Sequence, residues 1–243
     1  QIVKDYGPDA IIHCGAYTAV DKAEDEYEKA MAVNVNGTIA LSKAAKAIGA
    51  KLLYISTDYV FDGTGDTPFT IDGPKRPLNM YGLSKLFGEQ AVQMMLERYF
   101  IVRISWVFGK NGNNFVKTMI RLGKTHDEIT VVADQWGSPT YTADLAPLLC
   151  DVVQSDKYGI YQATNEGVTC WADFAQEIME TVGLSCKVEP IPSEAYPTKA
   201  HRPYNSRLDK GSLDQGGFKR LPDWKDALKR YVQEIIETEG ENR

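Results

Sequence analysis

A doubly wound parallel α/β fold is predicted by three observations. Apolar runs of strand length alternate with segments of helix length. Those runs are continuous rather than alternating in polarity, as in strands covered on both faces. Thr18, Thr57 and Trp106 fall just past their ends, where open parallel sheets receive ligands. In chain order, residues 1–6 read as the end of a helix closed by Gly7-Pro8, and residues 10–14 as a buried strand. Gly15-Ala16-Tyr17-Thr18 is a turn, and a helix-rich stretch over 21–48 stops at Gly49. A strand over 51–56 precedes a loop over 62–77 rich in Gly, Asp, Thr and Pro. A helix over 79–98 and a strand over 100–105 complete the regular part. Beyond it the readings are a helix over 114–123, a short strand over 130–132, a loop over 134–142 and a helix over 144–153. Residues 159–163 return as a strand to the main sheet, and 171–182 form a helix. A proline-punctuated loop spans 189–204, and a closing helix over 224–237 presents Leu228, Tyr231, Val232 and Ile235. Residues 1–107 with 143–165 form one unit, and 108–142 with 166–243 a smaller α+β substrate domain.

The chain has 243 residues, 43% hydrophobic and 25% charged, which permits a sizeable core. Its net charge of -6 and the lack of a basic run argue against a nucleic-acid partner. No apolar stretch reaches membrane-spanning length and no leader opens the chain, so a cytoplasmic setting is expected. Cys14, Cys150, Cys170 and Cys186 are dispersed. Cys14 and Cys150 sit in apolar runs and read as small core residues in a reducing compartment. His13, His126 and His201 show no metal-ligand spacing, so no metal is expected. The acidic run from Glu24 to Glu28 reads as a solvated helix face.

The chemistry centres on Tyr81 and Lys85, which share one helix face at i and i+4. That face is expected to look toward Thr57, at the end of the preceding strand. Tyr-x-x-x-Lys alone is a weak signal, common as a surface pair; the hydroxyl-ended strand upstream strengthens it. Reduction of a ketone by hydride needs an acid for the developing alkoxide. A free phenol, with a pKa near 10, is a poor proton donor at neutral pH, and a neighbouring ammonium is expected to lower it. Thr57 is then the hydrogen-bond donor to the same carbonyl oxygen.

Further motifs follow in order: Ala16-Tyr-Thr18, Ser56-Thr-Asp-Tyr-Val-Phe-Asp-Gly63, Tyr81-Gly-Leu-Ser-Lys85, Arg103-Ile-Ser-Trp-Val-Phe-Gly109, Asn113-Asn-Phe-Val-Lys117, Asp134-Gln-Trp-Gly-Ser-Pro-Thr140 and Arg202-Pro-Tyr-Asn-Ser206. With them the whole chain resembles the dTDP-4-dehydrorhamnose reductase family of extended short-chain dehydrogenase/reductases. The resemblance implies a Rossmann-like cofactor domain, NADPH or NADH as cofactor, and a small-molecule nucleotide-sugar partner; it leaves a homodimer open. It implies reduction of the C4 ketone of dTDP-6-deoxy-L-lyxo-4-hexulose, with Thr57, Tyr81 and Lys85 as the catalytic three. Ala16, Tyr17 and Thr18 would line the cofactor with Tyr81 and Lys85. Thr57, Asp58 and Trp106 would contact the sugar, and Asn114, Lys117, Arg121, Arg202 and Asn205 the nucleotide side. Trp106 reads equally well as core packing, Lys117 and Arg121 as a solvated pair, and Arg202 as a loop pin.

One departure stands out. Family members open with a strand and a Gly-x-x-Gly-x-x-Gly turn whose amides receive the cofactor pyrophosphate, and this chain contains no such segment. By the family plan the first two βα units are lacking, so the sheet is expected to be N-terminally incomplete and the chain part of a longer protein. Two alternatives remain: a non-catalytic binding or regulatory protein of the same fold, and another sugar-nucleotide reductase or epimerase.

Overall fold

The computed structural model describes residues 1–241. Helix α1 (Ile2–Tyr6) ends at Gly7, whose φ of 63° is the left-handed cap glycine adopts without strain. Strand β1 (Ala10–His13) leads to α2 (Val20–Ala23) and α3 (Tyr27–Met31), which passes through a π-helical stretch (Ala32–Asn36) into α4 (Gly37–Ile48). Strand β2 (Lys51–Thr57), α5 (Met80–Met95) and β3 (Tyr99–Ile104) follow. Then come β4 (Val107–Phe108), α6 (Phe115–Gly123), β5 (Glu128–Val132), β6 (Trp136–Gly137), β7 (Thr140–Tyr141) and α7 (Thr142–Gln154). The remainder is β8 (Gly159–Gln162), β9 (Asn165–Glu166), β10 (Thr169–Cys170), α8 (Trp171–Val182), β11 (Lys187–Ile191), α9 (Gly211–Gly216), β12 (Leu221–Asp223) and α10 (Trp224–Glu241).

The main sheet has the order β1-β2-β3-β8, parallel throughout. Successive side chains point to opposite faces, and both faces of β2 and β3 are covered, while Ile12 of β1 stays exposed. Leu53, Phe100 and Val102 pack with Leu145, Leu148 and Val152 of α7. Leu52, Tyr54 and Ile101 pack with Ala45 of α4 and Val92 of α5. This two-sided burial is why the strands lack polar alternation; the fully buried Leu52 and Leu53 each contribute about 2 kcal/mol of transfer free energy, one to each face. Strand β8 returns beside β3, as the sequence predicts. A separate core gathers Phe108, Ile129, Phe174, Ile178, Trp224 and Tyr231 around α8 and α10.

Several sequence expectations need correction. The stretch from 189, read as loop, continues strand β11, which pairs in parallel with β5. Pro190 misled the reading, yet proline is tolerated on a strand paired on one side only. The loop read over 134–142 contains β6 and β7, and α9 and the short β9, β10 and β12 had no local signal. Cys14 and Cys150 are exposed, whereas Cys170 and Cys186 are buried. Cys14 lies past the carboxyl end of β1, and Cys150 on the face of α7 away from Leu148 and Leu149. Among the described residues no helix is long and apolar enough to cross a membrane.

Candidate active site

The site forms where β1 and β2 end and α5 begins. Helix α5 starts cleanly because Asn79 adopts an extended conformation and its side chain accepts from Gly82 N at 2.8 Å. A second acceptor comes from outside the helix: Glu24 takes the Met80 N–H at 2.8 Å. The acidic run is therefore more than a solvated face. Asp21 pairs with Arg202 at 2.6 Å, and Asp25 pairs with Lys199. Together they tie the 199–202 segment to α2 and its flank.

Tyr81 and Lys85 project from one face of α5 toward the end of β2. The Tyr81 phenol stands near Thr57, close enough for the threonine hydroxyl to favour its ionised form, and its ring meets that of Tyr59 edge-on at 5.5 Å. Thr57 is buried, donates to Asp58 Oδ1 at 3.0 Å and accepts from Tyr59 N at 3.2 Å. Lys85 is only 3% exposed. Its Nζ donates to the Ile55 carbonyl at 2.6 Å and stands 4.0 Å from the centroid of the Tyr54 ring, a desolvated cation–π contact.

The phenol departs from the sequence expectation. Burial pushes the Tyr81 pKa up, and the nearby Thr57 hydroxyl only partly offsets it. Burial also pushes the Lys85 ammonium down, to about 7, against the opposing carboxylate of Glu89. Desolvation penalises both charged forms and outweighs the pairwise attraction assumed from spacing. Tyr81 is thus a protonated acid at neutral pH, beside an amine that can exchange its proton there.

Asp58 is also shifted up, to about 6, because burial outweighs the hydrogen bonds of Ser206 and Thr57. Raised in the fold, such a group favours stability below its unfolded pKa near 4 and loses that contribution as pH rises through about 6. Asp58→Asn is therefore expected to gain about 3 kcal/mol over the parent above pH 7, and nothing near pH 4. Paired urea titrations across pH check this; a difference independent of pH would refute it.

The turn after β1 is held by a residue the sequence reading missed. Asn34, 1% exposed in the π-helical stretch, accepts from Tyr17 N at 2.8 Å, donates to Tyr17 O at 3.1 Å and donates to Ser84 Oγ at 2.9 Å. It thereby fixes Ala16-Tyr17-Thr18 against α5. A π-bulge is the local signal, and hydrophobic periodicity does not reveal one. Tyr17 further donates from its hydroxyl to Glu26 at 3.1 Å.

At Tyr59 opens a cavity of about 670 Å³ whose lining includes Asp21, Tyr59, Arg202, Phe115, Met119 and Trp171. Arg202 reaches Tyr59 Oη at 3.2 Å as well as Asp21. Trp106 has a φ of 49°, the one non-glycine in left-handed backbone among the described residues, a strained state typical of functional positions. Its ring stacks on Trp171 at 3.7 Å and 16°.

Three of the remaining candidates have structural partners. Asn114 caps α6 by accepting from Lys117 N at 3.0 Å, and donates to Gly109 O and Tyr231 Oη. Asn205 is buried and donates to the carbonyls of Thr64 and Thr67, tying two loops together. Lys117 donates to Gly112 O at 3.0 Å, and Arg121 is exposed at the end of α6.

The residues fit the nicotinamide–ribose end of a dinucleotide. The buried Lys85 ammonium lies within electrostatic reach of Cys14 past the end of β1, and Tyr81 stands one turn before Lys85 on α5. Among the described residues no cluster of His, Cys, Asp and Glu could hold a metal ion.

A family model described as RmlD substrate binding domain matches residues 1–237. The dTDP-4-dehydrorhamnose reductase of Escherichia coli (strain K12) is 40% identical over 249 residues, an alignment covering 98% of this chain and 83% of that protein. The dTDP-4-dehydrorhamnose reductase of Mycolicibacterium smegmatis is 44% identical over 232 residues, covering 94% and 71%. Among solved structures, dTDP-4-dehydrorhamnose reductase from Bacillus anthracis in complex with NADP superposes with a TM-score of 0.94 at 44% identity, covering 96% of this chain and 83% of that one.

Proposed function

The chain belongs to the RmlD substrate-binding-domain family, and from that membership we propose that it reduces the C4 ketone of dTDP-4-dehydro-L-rhamnose to dTDP-L-rhamnose with NADPH or NADH. The observation that carries the reading is the meeting of Thr57, Tyr81 and Lys85 at the end of β2, beside a cavity edged by Tyr59 and Arg202. When bound, the nicotinamide supplies the hydride. Tyr81 holds the proton that the C4 oxygen requires as its charge develops. Thr57 turns its hydroxyl from Asp58 toward the same oxygen and orients the carbonyl. Lys85, fixed by Ile55 O and the Tyr54 ring, would hold a ribose hydroxyl of the cofactor.

The cavity accounts for the rest of the substrate. Arg202 is the cation for the diphosphate, and Phe115 and Trp171 supply apolar wall for the base. Residues 1–107 with 143–165 serve the cofactor, and 108–142 with 166–243 the nucleotide sugar; the separate core around α8 and α10 supports that division. A cytoplasmic setting goes with such a substrate.

The test mixes the protein with NADPH and dTDP-4-dehydro-L-rhamnose and follows loss of reduced nicotinamide, with dTDP-L-rhamnose identified by mass spectrometry. A folded protein that binds both thymidine diphosphate and NADPH yet oxidises no cofactor would match the binding-protein alternative and end the reductase reading. Arg202→Ala is expected to raise KM about tenfold or more with kcat nearly unchanged, as loss of one charged contact made equally to substrate and transition state.

A further inference from the structure

A row of buried charge stands behind Lys85. Tyr81, Lys85 and Glu89 follow one another at four-residue intervals on α5 and so share a face. Glu89 is 1% exposed and Arg103, on β3, is 0% exposed. Arg103 grips both carboxylate oxygens, Nε to Oε1 at 2.9 Å and Nη2 to Oε2 at 2.8 Å, and gives Nη1 to the Ile71 carbonyl at 2.9 Å. A fully buried ion pair holds a helix to a sheet no better than an apolar pair of equal volume. Its place in line with the catalytic lysine points to another use.

The other groups facing Lys85 carry no negative charge at neutral pH. From β1 and its end come His13, lowered to about 4 by burial and by Lys85 itself, and Cys14, whose thiol burial pushes up. Tyr54 on β2 and Tyr81 on α5 are phenols held protonated by burial. Glu89 is the carboxylate that favours the ammonium. A free carboxylate one turn away would draw that ammonium into contact, back along the helix and away from Tyr81. Both oxygens are occupied by Arg103 instead, and Lys85 donates to Ile55 O.

We propose that Glu89 is a positioning residue for Lys85: clamped by Arg103, it supports the ammonium through space while leaving it free to face Tyr81 and the cofactor. The consequence for turnover rests on the reductase reading; the effect on Lys85 does not. In protein labelled with 13C at the lysine ε-carbon, Glu89→Gln is expected to lower the Lys85 titration midpoint by at least about one unit, a tenfold change in its ionisation constant. The alkaline limb of the kcat/KM profile is expected to move down by the same amount. Because Glu89→Gln leaves Arg103 buried and unpaired, Glu89→Gln with Arg103→Met, neutral and of similar volume, serves as the second variant and is expected to shift the midpoint in the same direction by less, since the opposing Arg103 charge goes with it. An unmoved Lys85 midpoint in either folded variant overturns the proposal. Collapse of both variants overturns it too, by assigning the pair to holding the fold. A shifted midpoint in a protein whose parent turns over no keto sugar leaves the proposal standing and removes the reductase reading alone.

Discussion

Tyr81→Phe is expected to lower kcat by about 10²- to 10⁴-fold, the range spanned by loss of a positioned general acid. The change deletes one oxygen and keeps the ring, so the edge-on contact with Tyr59 survives. Thermal and urea stability are expected to stay within about 1 kcal/mol of the parent, the net worth of one hydrogen bond. Substrate affinity is expected to hold, because Arg202 and the apolar cavity wall are untouched. The burial-raised phenol sharpens the expectation: Tyr81 is protonated throughout the physiological range, so no ionised form of the residue contributes to the rate. Single-turnover measurements with reduced nicotinamide separate chemistry from binding, and a kcat within threefold of the parent would remove Tyr81 from the acid role.

Gly82→Ala is expected to reverse the usual sign of a helix substitution. At an exposed interior position alanine stabilises a helix by about 1 kcal/mol over glycine. Here a Cβ would lie 2.2 Å from the Tyr59 carbonyl oxygen and 3.0 Å from its carbon, with Pro77 Cβ at 3.1 Å on the flank. The obstacle is backbone, so no rotamer change relieves it. The first turn of α5 must lift from the end of β2, weakening the Asn79 and Glu24 caps and drawing Tyr81 away from Thr57. A loss of about 2 kcal/mol or more follows from overpacking, with activity falling further than stability because hydrogen-bond reach to the reacting oxygen is lost. Denaturation and kcat measured on one preparation test both parts, and a stabilised, active alanine variant would show that the helix and strand end do not meet as described.

Much of the scaffold is legible locally. The continuous apolar runs at Leu52–Ile55 and Phe100–Val102 report burial on two faces, and α8 matches its periodic segment from Trp171 to Val182. Short strands are not legible in this way: β6 and β10 are two residues each and exist because they find one another across more than thirty residues of chain. The charged Arg103 inside an apolar strand was the visible sign of a buried pair, and Glu89 stood one turn beyond Lys85, yet nothing local says that they meet.

The sequence by itself determined the parallel α/β scaffold and the placing of Tyr81 and Lys85 on one helix face, because side-chain period, cap residues and four-residue spacing are properties of neighbouring residues. Tertiary structure alone decided the protonation of Tyr81 and Lys85, the clamp of Arg103 on Glu89 and the latch of Asp21 on Arg202. These depend on desolvation and on charges brought together from distant segments, and neither is a property of a residue's neighbours along the chain.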